Sequence, residues 1–364
     1  MKQDIPQMEP SIGKEEQDAV LTYLRSGGWL TEFKKTREFE KMIANYTGAK
    51  YCSVVSNGTV SLAIALWALG IKAGDEVIVP DYTMIASANA VVLAGAKPVL
   101  VDIDPENLCL DLESAKKAIT KKTKAIILVT INGRSPKMES FVALCRNKKL
   151  FLIEDAAQSL GSTYNGRHLG TFGVIGSFSF AMHKIVTTGQ GGALVTNNRD
   201  IYKKILKIKD FGREESGIDY HQTIGYNFKF TDLQAVIGIE QMKKIKWRAK
   251  RKKEMFSMYK KLLKDTAGVQ FIETDLRNVS HMFVEINVNN GQRDELMAFL
   301  QKKGIGTRLF YPSIHTQPPY KWIKGTFLNS VAVSKKGLWL PSSLLISDKD
   351  IGYVCKSIKN FFNS

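Results

Sequence analysis

Lys184 stands inside "FSFAMHKIVTTGQGGALV", Phe178 to Val195, between an apolar, aromatic run and a turn with three glycines. Neither a strand nor a helix needs a charge there. A lysine held against a low-dielectric wall loses proton affinity and becomes a usable amine nucleophile. Two other segments carry groups that such an amine could work with. In "LIEDAAQS" Asp155 ends an apolar run, and the small Ala156 and Ala157 after it leave room for something flat. A carboxylate at the end of a buried strand needs a cationic or hydrogen-bonding partner. In "SNGTVS" Gly58 and Thr59 open a helix directly after a strand. Free N–H groups and the positive end of the helix dipole favour a phosphate at such a point. Ser179 precedes Lys184 by five residues, and the glycines of "TTGQGG" permit close backbone approach.

Each feature has an ordinary explanation when taken alone. Thr59 and Asp155 could be plain helix caps, and Lys184 could be a solvated lysine at a strand end. The set together meets the needs of one cofactor, pyridoxal 5'-phosphate (PLP). That group requires a lysine for its Schiff base, a carboxylate to keep the pyridine nitrogen protonated, and a phosphate cradle.

The elements that must position these groups alternate along the chain. "YCSVVS" is a short β-type run, followed by "GTVSLAIALWALG" with helical periodicity and a terminal glycine. "DEVIVP" precedes "MIASANAVVLAG", "KPVLVDI" precedes a helix around "LESAKKAI", and "KAIILVTI" leads into "MESFVALCRNK". "LFLIEDAAQS" ends the series. The β-runs are rich in Val, Ile and Leu on both faces, as in a mainly parallel sheet covered by helices. An α/β fold follows, with a large domain over residues 10–243. Beyond it, "HMFVEINV", a helix from Arg293 to Lys303, "GTRLFYP" and "DKDIGYVCKSIKNFF" predict a smaller α+β domain over 244–364. Residues 1–9 are expected to pack with that second domain. Ligands of open α/β sheets bind beyond the carboxyl ends of the strands, where all three candidate segments fall.

A chain of 364 residues suits two domains, because single cores stop growing near ~250–300 residues. The formal charge of +17 invites an anionic partner. Its densest run, "KKIKWRAKRKKEMFSMYKK", has Phe256, Tyr259 and Leu263 at helical spacing and reads as an amphipathic helix with a solvated basic face. No recognised DNA or RNA module accompanies it, so no nucleic-acid partner is expected. Cys52, Cys109, Cys145 and Cys355 are far apart, without metal-site spacing, and read as buried small hydrophobes in a reducing compartment. "MKQDIPQMEP" lacks an apolar signal core, and no apolar run nears the ~20 residues of a membrane helix. A cytoplasmic protein without membrane contact is expected.

In order along the chain, "SGGWLTEFKKTREFEK", "VVSNGTVSLAIAL", "AGDEVIVPDYTMIASANAV", "FLIEDAAQSLGS", "GSFSFAMHKIVTTGQGG", "IGYNFKFTDLQAVIGIEQ" and "GIGTRLFYPSIHTQPPY" resemble the DegT/DnrJ/StrS group of PLP-dependent sugar aminotransferases. The resemblance covers nearly the whole chain. It implies the aspartate-aminotransferase fold (fold type I), and a ping-pong transfer of an amino group from glutamate to a nucleotide-linked keto sugar. "TRLFYPSIHTQPPY" and "GLWLPSS" are most similar to the perosamine-forming branch, which aminates carbon 4 of a 4-keto-6-deoxy sugar. Amination at carbon 3, dehydration, and a non-catalytic regulatory relative are the alternatives.

Residue by residue, the resemblance makes Lys184 the Schiff-base lysine and Asp155 the partner of the pyridine nitrogen. Gln158 falls where a polar side chain approaches the ring hydroxyl. Gly58, Thr59 and Ser179 match the phosphate cradle. Asn227 in "GYNFKF" matches a residue given to the phosphate by the neighbouring subunit, which implies a homodimer with shared active sites. Trp29, Arg308 and His315 lie in segments that border the sugar nucleotide. Two positions depart from the pattern: Met84 where many relatives stack an aromatic ring on the cofactor, and Gln190 where "TTGEGG" is usual. A dehydratase branch has histidine in place of the lysine. Here Lys184 keeps its register three positions before Thr187, and His183 is its neighbour.

Overall fold

The structure, a computed structural model, describes residues 4–215, 217–289 and 291–363. Residues 1–3 and 364, the outer ends of the expected N-terminal segment and second domain, lie outside the described residues.

The apolar runs form one seven-stranded sheet. Its strands are β1 (Tyr51–Val55), β2 (Glu76–Pro80), β3 (Lys97–Val101), β4 (Thr123–Val129) and β5 (Phe151–Asp155), completed by β8 (Ile175–Ser179) and β9 (Gly192–Thr196). Between them β6 (Thr163–Tyr164) and β7 (Arg167–His168) make a small separate hairpin. The sheet order is β1-β9-β8-β5-β4-β2-β3. β9 is antiparallel to both neighbours, and the pairings from β8 out to β3 are parallel. Neighbouring strand residues such as Ile78 and Val79, or Ile126 and Ile127, are fully buried. Since successive side chains point to opposite faces, both faces of the sheet are covered.

The connections supply α3 (Gly58–Ala68), α4 (Ala86–Leu93), α5 (Leu112–Ala118), α6 (Met138–Lys148) and α7 (Arg199–Lys209), with α1 (Lys14–Arg25) and α2 (Lys34–Thr47) before them. α8 (Asp232–Lys243) and α9 (Ile245–Leu263) follow, so the expected boundary at residue 243 falls between two helices. Next come β10 (Val269–Gln270), β11 (Glu285–Val288), α10 (Arg293–Lys302), β12 (Arg308–Leu309), α11 (Leu328–Lys336), β13 (Gly337–Trp339) and α12 (Asp348–Phe362). The four strands form an antiparallel sheet in the order β10-β11-β13-β12. Ile5 bridges to Ile305, between α10 and β12, and packs in one apolar cluster with Val284 and Ile286, which ties the N-terminal segment to the expected second domain. One apolar cluster runs from Val79 and Ile127 to Phe283, Phe310 and Trp339, so the interior is continuous between the sheets.

α9 corrects one expectation. Phe256, Tyr259 and Leu263 are buried as the spacing requires, and Lys246 and Lys250 are exposed. Arg248 and Lys252, however, are not part of a solvated face: they are 1% and 2% exposed. Their polar ends find backbone carbonyls, of Ser11 and Ile185 for Arg248 and of Met282 and Ser342 for Lys252. Periodicity places a residue on a face, and only the packed partner shows whether that face is wet. The four cysteines are buried. Among the described residues no helix is long and apolar enough to cross a membrane.

Candidate active site

A cavity of about 730 Å³ opens beyond the carboxyl ends of β1, β5 and β8. Lys184 reaches it from the loop between β8 and β9. That loop is pinned at its base, where Phe180 N–H donates to the Gly191 carbonyl (2.8 Å) and Thr188 N–H to the Phe180 carbonyl (3.0 Å). The amine of Lys184 has the Met282 sulfur 3.5 Å away as its hydrogen-bond partner. Burial lowers its pKa to about 8; the charge of Arg308 pushes the same way and that of Asp155 opposes both. An appreciable share of this amine is therefore unprotonated near neutral pH.

Asp155 is the last residue of β5, and its carboxylate accepts from Ser87 Oγ (2.7 Å) and Ala157 N–H (3.2 Å). Burial raises its pKa above the usual carboxylate value, against the pull of these bonds and of Lys184. A cation brought into the cavity would relieve that cost.

At the amino end of α3 the Asn57 side chain accepts the Val60 N–H and its carbonyl accepts the Ser61 N–H. The first two amides of the helix belong to Gly58 and Thr59, which line the cavity together with Ser179. A Cβ on Gly58 would lie 2.9 Å from the Cβ of Ser179, so only glycine lets that hydroxyl come so close to the helix end. Amides, two hydroxyls, a carboxylate and a depressed lysine amine thus surround one space. That donor set fits a flat, protonated, phosphate-bearing ring with a reactive carbonyl.

The DegT/DnrJ/EryC1/StrS aminotransferase family matches the chain over residues 10–359. The chain belongs to that family. It is 37% identical over 362 residues to the GDP-perosamine synthase of Escherichia coli O157:H7, covering 99% of each chain. With the GDP-perosamine synthase of Vibrio cholerae it shares 36% identity over 367 residues, again 99% of each. A solved structure of the putative sugar aminotransferase Spr1654 from Streptococcus pneumoniae in its PLP-form matches with a TM-score of 0.94 at 26% identity, over 99% of both chains. The DegT-family protein is an enzyme, with the fold of PLP-dependent sugar aminotransferases.

Of the residues singled out in the sequence, Gly58, Thr59, Met84, Asp155, Gln158, Ser179, Lys184 and Arg308 line this cavity of the DegT-family chain. Met84 is 47% exposed, so its thioether sits at the rim. His183 and Gln190 line it too; burial, with the charges of Arg308 and Lys184, lowers the pKa of the His183 ring. Three residues are not among the lining. Trp29 is exposed, with its carbonyl taken by the Tyr23 hydroxyl. His315 is held 2.7 Å from the Asp81 carboxylate and stacks on Phe327. Asn227 is exposed, in a loop bridged to Asp210.

The sequence reading missed Ser87, Met282, Phe283 and Tyr311. Ser87 carried a usable signal, a hydroxyl in the first turn of a helix that follows a buried strand. Met282 and Phe283 looked like part of a strand; the strand starts only at Glu285, and the residues before it wall the cavity.

Proposed function

We propose that the protein transfers an amino group from glutamate to carbon 4 of a nucleotide-linked 4-keto-6-deoxy sugar, with PLP in this cavity and GDP as the nucleotide. The observation that carries the reading is the buried pair, the Lys184 amine with its lowered pKa and the Asp155 carboxylate, facing one cavity. The likeness to two GDP-perosamine synthases supports the sugar and the nucleotide.

Bound there, PLP supplies an electron sink that makes the α-proton of an amino acid labile. Asp155 would hold the ring nitrogen in its protonated form, because its carboxylate charge, costly in this buried place, is relieved by a cation beside it. Lys184 Nζ is the atom that would anchor the cofactor and, once free, would take up and hold the proton from the substrate α-carbon. The amides of Gly58 and Thr59 and the hydroxyls of Thr59 and Ser179 receive the phosphate. Gln158 would offer a polar group to the ring hydroxyl, and the Met84 thioether would pack against the ring. Met282 and Phe283 keep water from the amine. Arg308 offers a cation to an anionic substrate group. Asn227 serves the site of a second subunit in a homodimer, with Trp29 and His315 at the sugar-nucleotide border, in a cytoplasmic enzyme of two domains meeting near residue 243.

Purified protein with PLP and glutamate should convert GDP-4-keto-6-deoxymannose to a product carrying an amine at carbon 4, resolved by mass and NMR. UDP- and dTDP-linked analogues should turn over more slowly. An amine at carbon 3, or loss of a hydroxyl without gain of nitrogen, would overturn the assignment.

A further inference from the structure

The turn after β4, Ile131-Asn132-Gly133-Arg134, is unaccounted for by the chemistry above, yet it touches both sides of the cavity. Asn132 is 1% exposed and left-handed, with φ of 50° and ψ of 30°. Asparagine tolerates that conformation better than most side chains. Its own N–H donates to Gln158 Oε1 at 2.9 Å. Its Oδ1 accepts the N–H groups of Met282 and Phe283, both at 2.8 Å, and its Nδ2 donates to the Phe283 carbonyl at 2.9 Å. Four buried hydrogen bonds therefore converge on one residue that lies outside the cavity lining. Gly133 is also left-handed, and a Cβ there would stand 2.7 Å from the Ser280 carbonyl, so the turn is pressed against the same segment. Arg134 adds a buried ion pair with Glu285 on β11.

These bonds settle both amide orientations without reference to hydrogen positions. Backbone N–H groups can only donate, so the atoms that receive them must be Gln158 Oε1 and Asn132 Oδ1. With Oε1 committed, the group that Gln158, a lining residue, has left to offer is its Nε2 donor. The site is thus offered a donor at this point, suited to a ring oxygen, and not an acceptor.

We propose that Asn132 is a positioning residue of the active site. It fixes the donor end of Gln158 through its backbone, and through its side chain it holds the Met282–Phe283 wall against the Lys184 amine. Asparagine alone combines the left-handed backbone, an acceptor for two amides and a donor for one carbonyl. Aspartate lacks the donor, and glycine lacks all three side-chain bonds. The proposal rests on the reading of this cavity as a PLP aminotransferase site.

The test compares wild type with Asn132→Gly, which keeps the backbone conformation and the bond to Gln158 and frees only the wall. Wild type with PLP should show a visible absorbance with a measurable pH midpoint, and borohydride should bleach that band while fixing the cofactor to Lys184. In Asn132→Gly that midpoint should rise by roughly half a unit or more, because water behind Met282 favours the charged form. Its kcat should fall on the order of 10²-fold, while KM for glutamate changes far less. Met282→Ala, which leaves the Asn132 turn intact, should raise the midpoint in the same direction and covers the case in which Asn132→Gly does not fold. Loss of thermal stability with midpoint and kcat unchanged would reduce Asn132 to a structural role and overturn the proposal, as would an unmoved midpoint in Met282→Ala. Absence of a borohydride-stable adduct in wild type would instead overturn the functional reading, and this one with it.

Discussion

Lys184 and Lys252 are both withdrawn from water, and they touch the same residue from opposite ends. Lys184 meets the sulfur of Met282, and Lys252 donates to its carbonyl at 2.9 Å. Burial lowers both, Lys184 to about 8 and Lys252 to about 7. By the direction of that shift alone Lys252 is as good a candidate for a free amine as Lys184. It is 2% exposed, however, and its amine is committed to two backbone carbonyls, whereas Lys184 is half-buried, opens on a cavity, and has a weak thioether acceptor as its hydrogen-bond partner. A third, Lys209, is equally hidden and paired with Glu32 and Glu40. A depressed lysine becomes reactive only where its nitrogen is free of stronger partners and something can reach it. The nearby Asp155 adds what Lys252 lacks, a carboxylate facing the same space.

The sharpest way to break this contrast is to remove each amine. Lys184→Ala should lose on the order of 10³-fold or more in kcat and fail to retain PLP after borohydride, with its thermal transition little changed. Near-normal turnover would show that the amine at the cavity is not the working one. Next in size is Asp155→Asn, which keeps the bond from Ser87 and deletes the charge. Loss of a preorganised charge of this kind costs on the order of 10²-fold. The carboxylate also raises the Lys184 pKa, so its removal should move the pH profile of PLP capture to lower pH. A profile that stayed in place would mean that the two groups do not sense each other.

Much of this was legible before the structure, and the boundary of legibility is physical. Strand ends, glycine turns and single charges in apolar runs are local signals, and Lys184, Asp155, Gly58, Thr59 and Ser179 were found through them. Met282, Phe283 and Asn132 act through contacts about 100 to 150 residues away in sequence, and nothing local announces such a partner. "NGR" was readable as a turn, since Asn-Gly marks one after an apolar run. That it would clasp the second sheet was not. Lys252 failed for the opposite reason: its local signal, a charge within a basic helix, pointed to solvent, and tertiary packing reversed it.

The last probe takes Lys252 through stability and not turnover: Lys252→Met replaces the amine by a side chain of similar length. Two terms act on the variant. The carbonyls of Met282 and Ser342 lose their donor, at about 1–3 kcal/mol each, and this cost does not change with pH. The second term does. Folded Lys252 releases its proton near pH 7, whereas an unfolded lysine does so near ~10.4. Between those values the unfolded wild-type chain holds more protons than the folded one, so wild-type stability rises with pH by at most ~1.4 kcal/mol per unit, a gain the variant cannot share. Below about pH 7 the lysine is charged in both states and the difference is flat. Urea unfolding of the two proteins at pH 6, 8 and 9.5 should therefore show the gap widening in favour of wild type. A gap constant over that range would mean that the two carbonyls hold the ammonium as well as water does. Burial would then lower the proton affinity of a lysine only where, as at Lys184, its hydrogen-bond partner is a sulfur and not an oxygen.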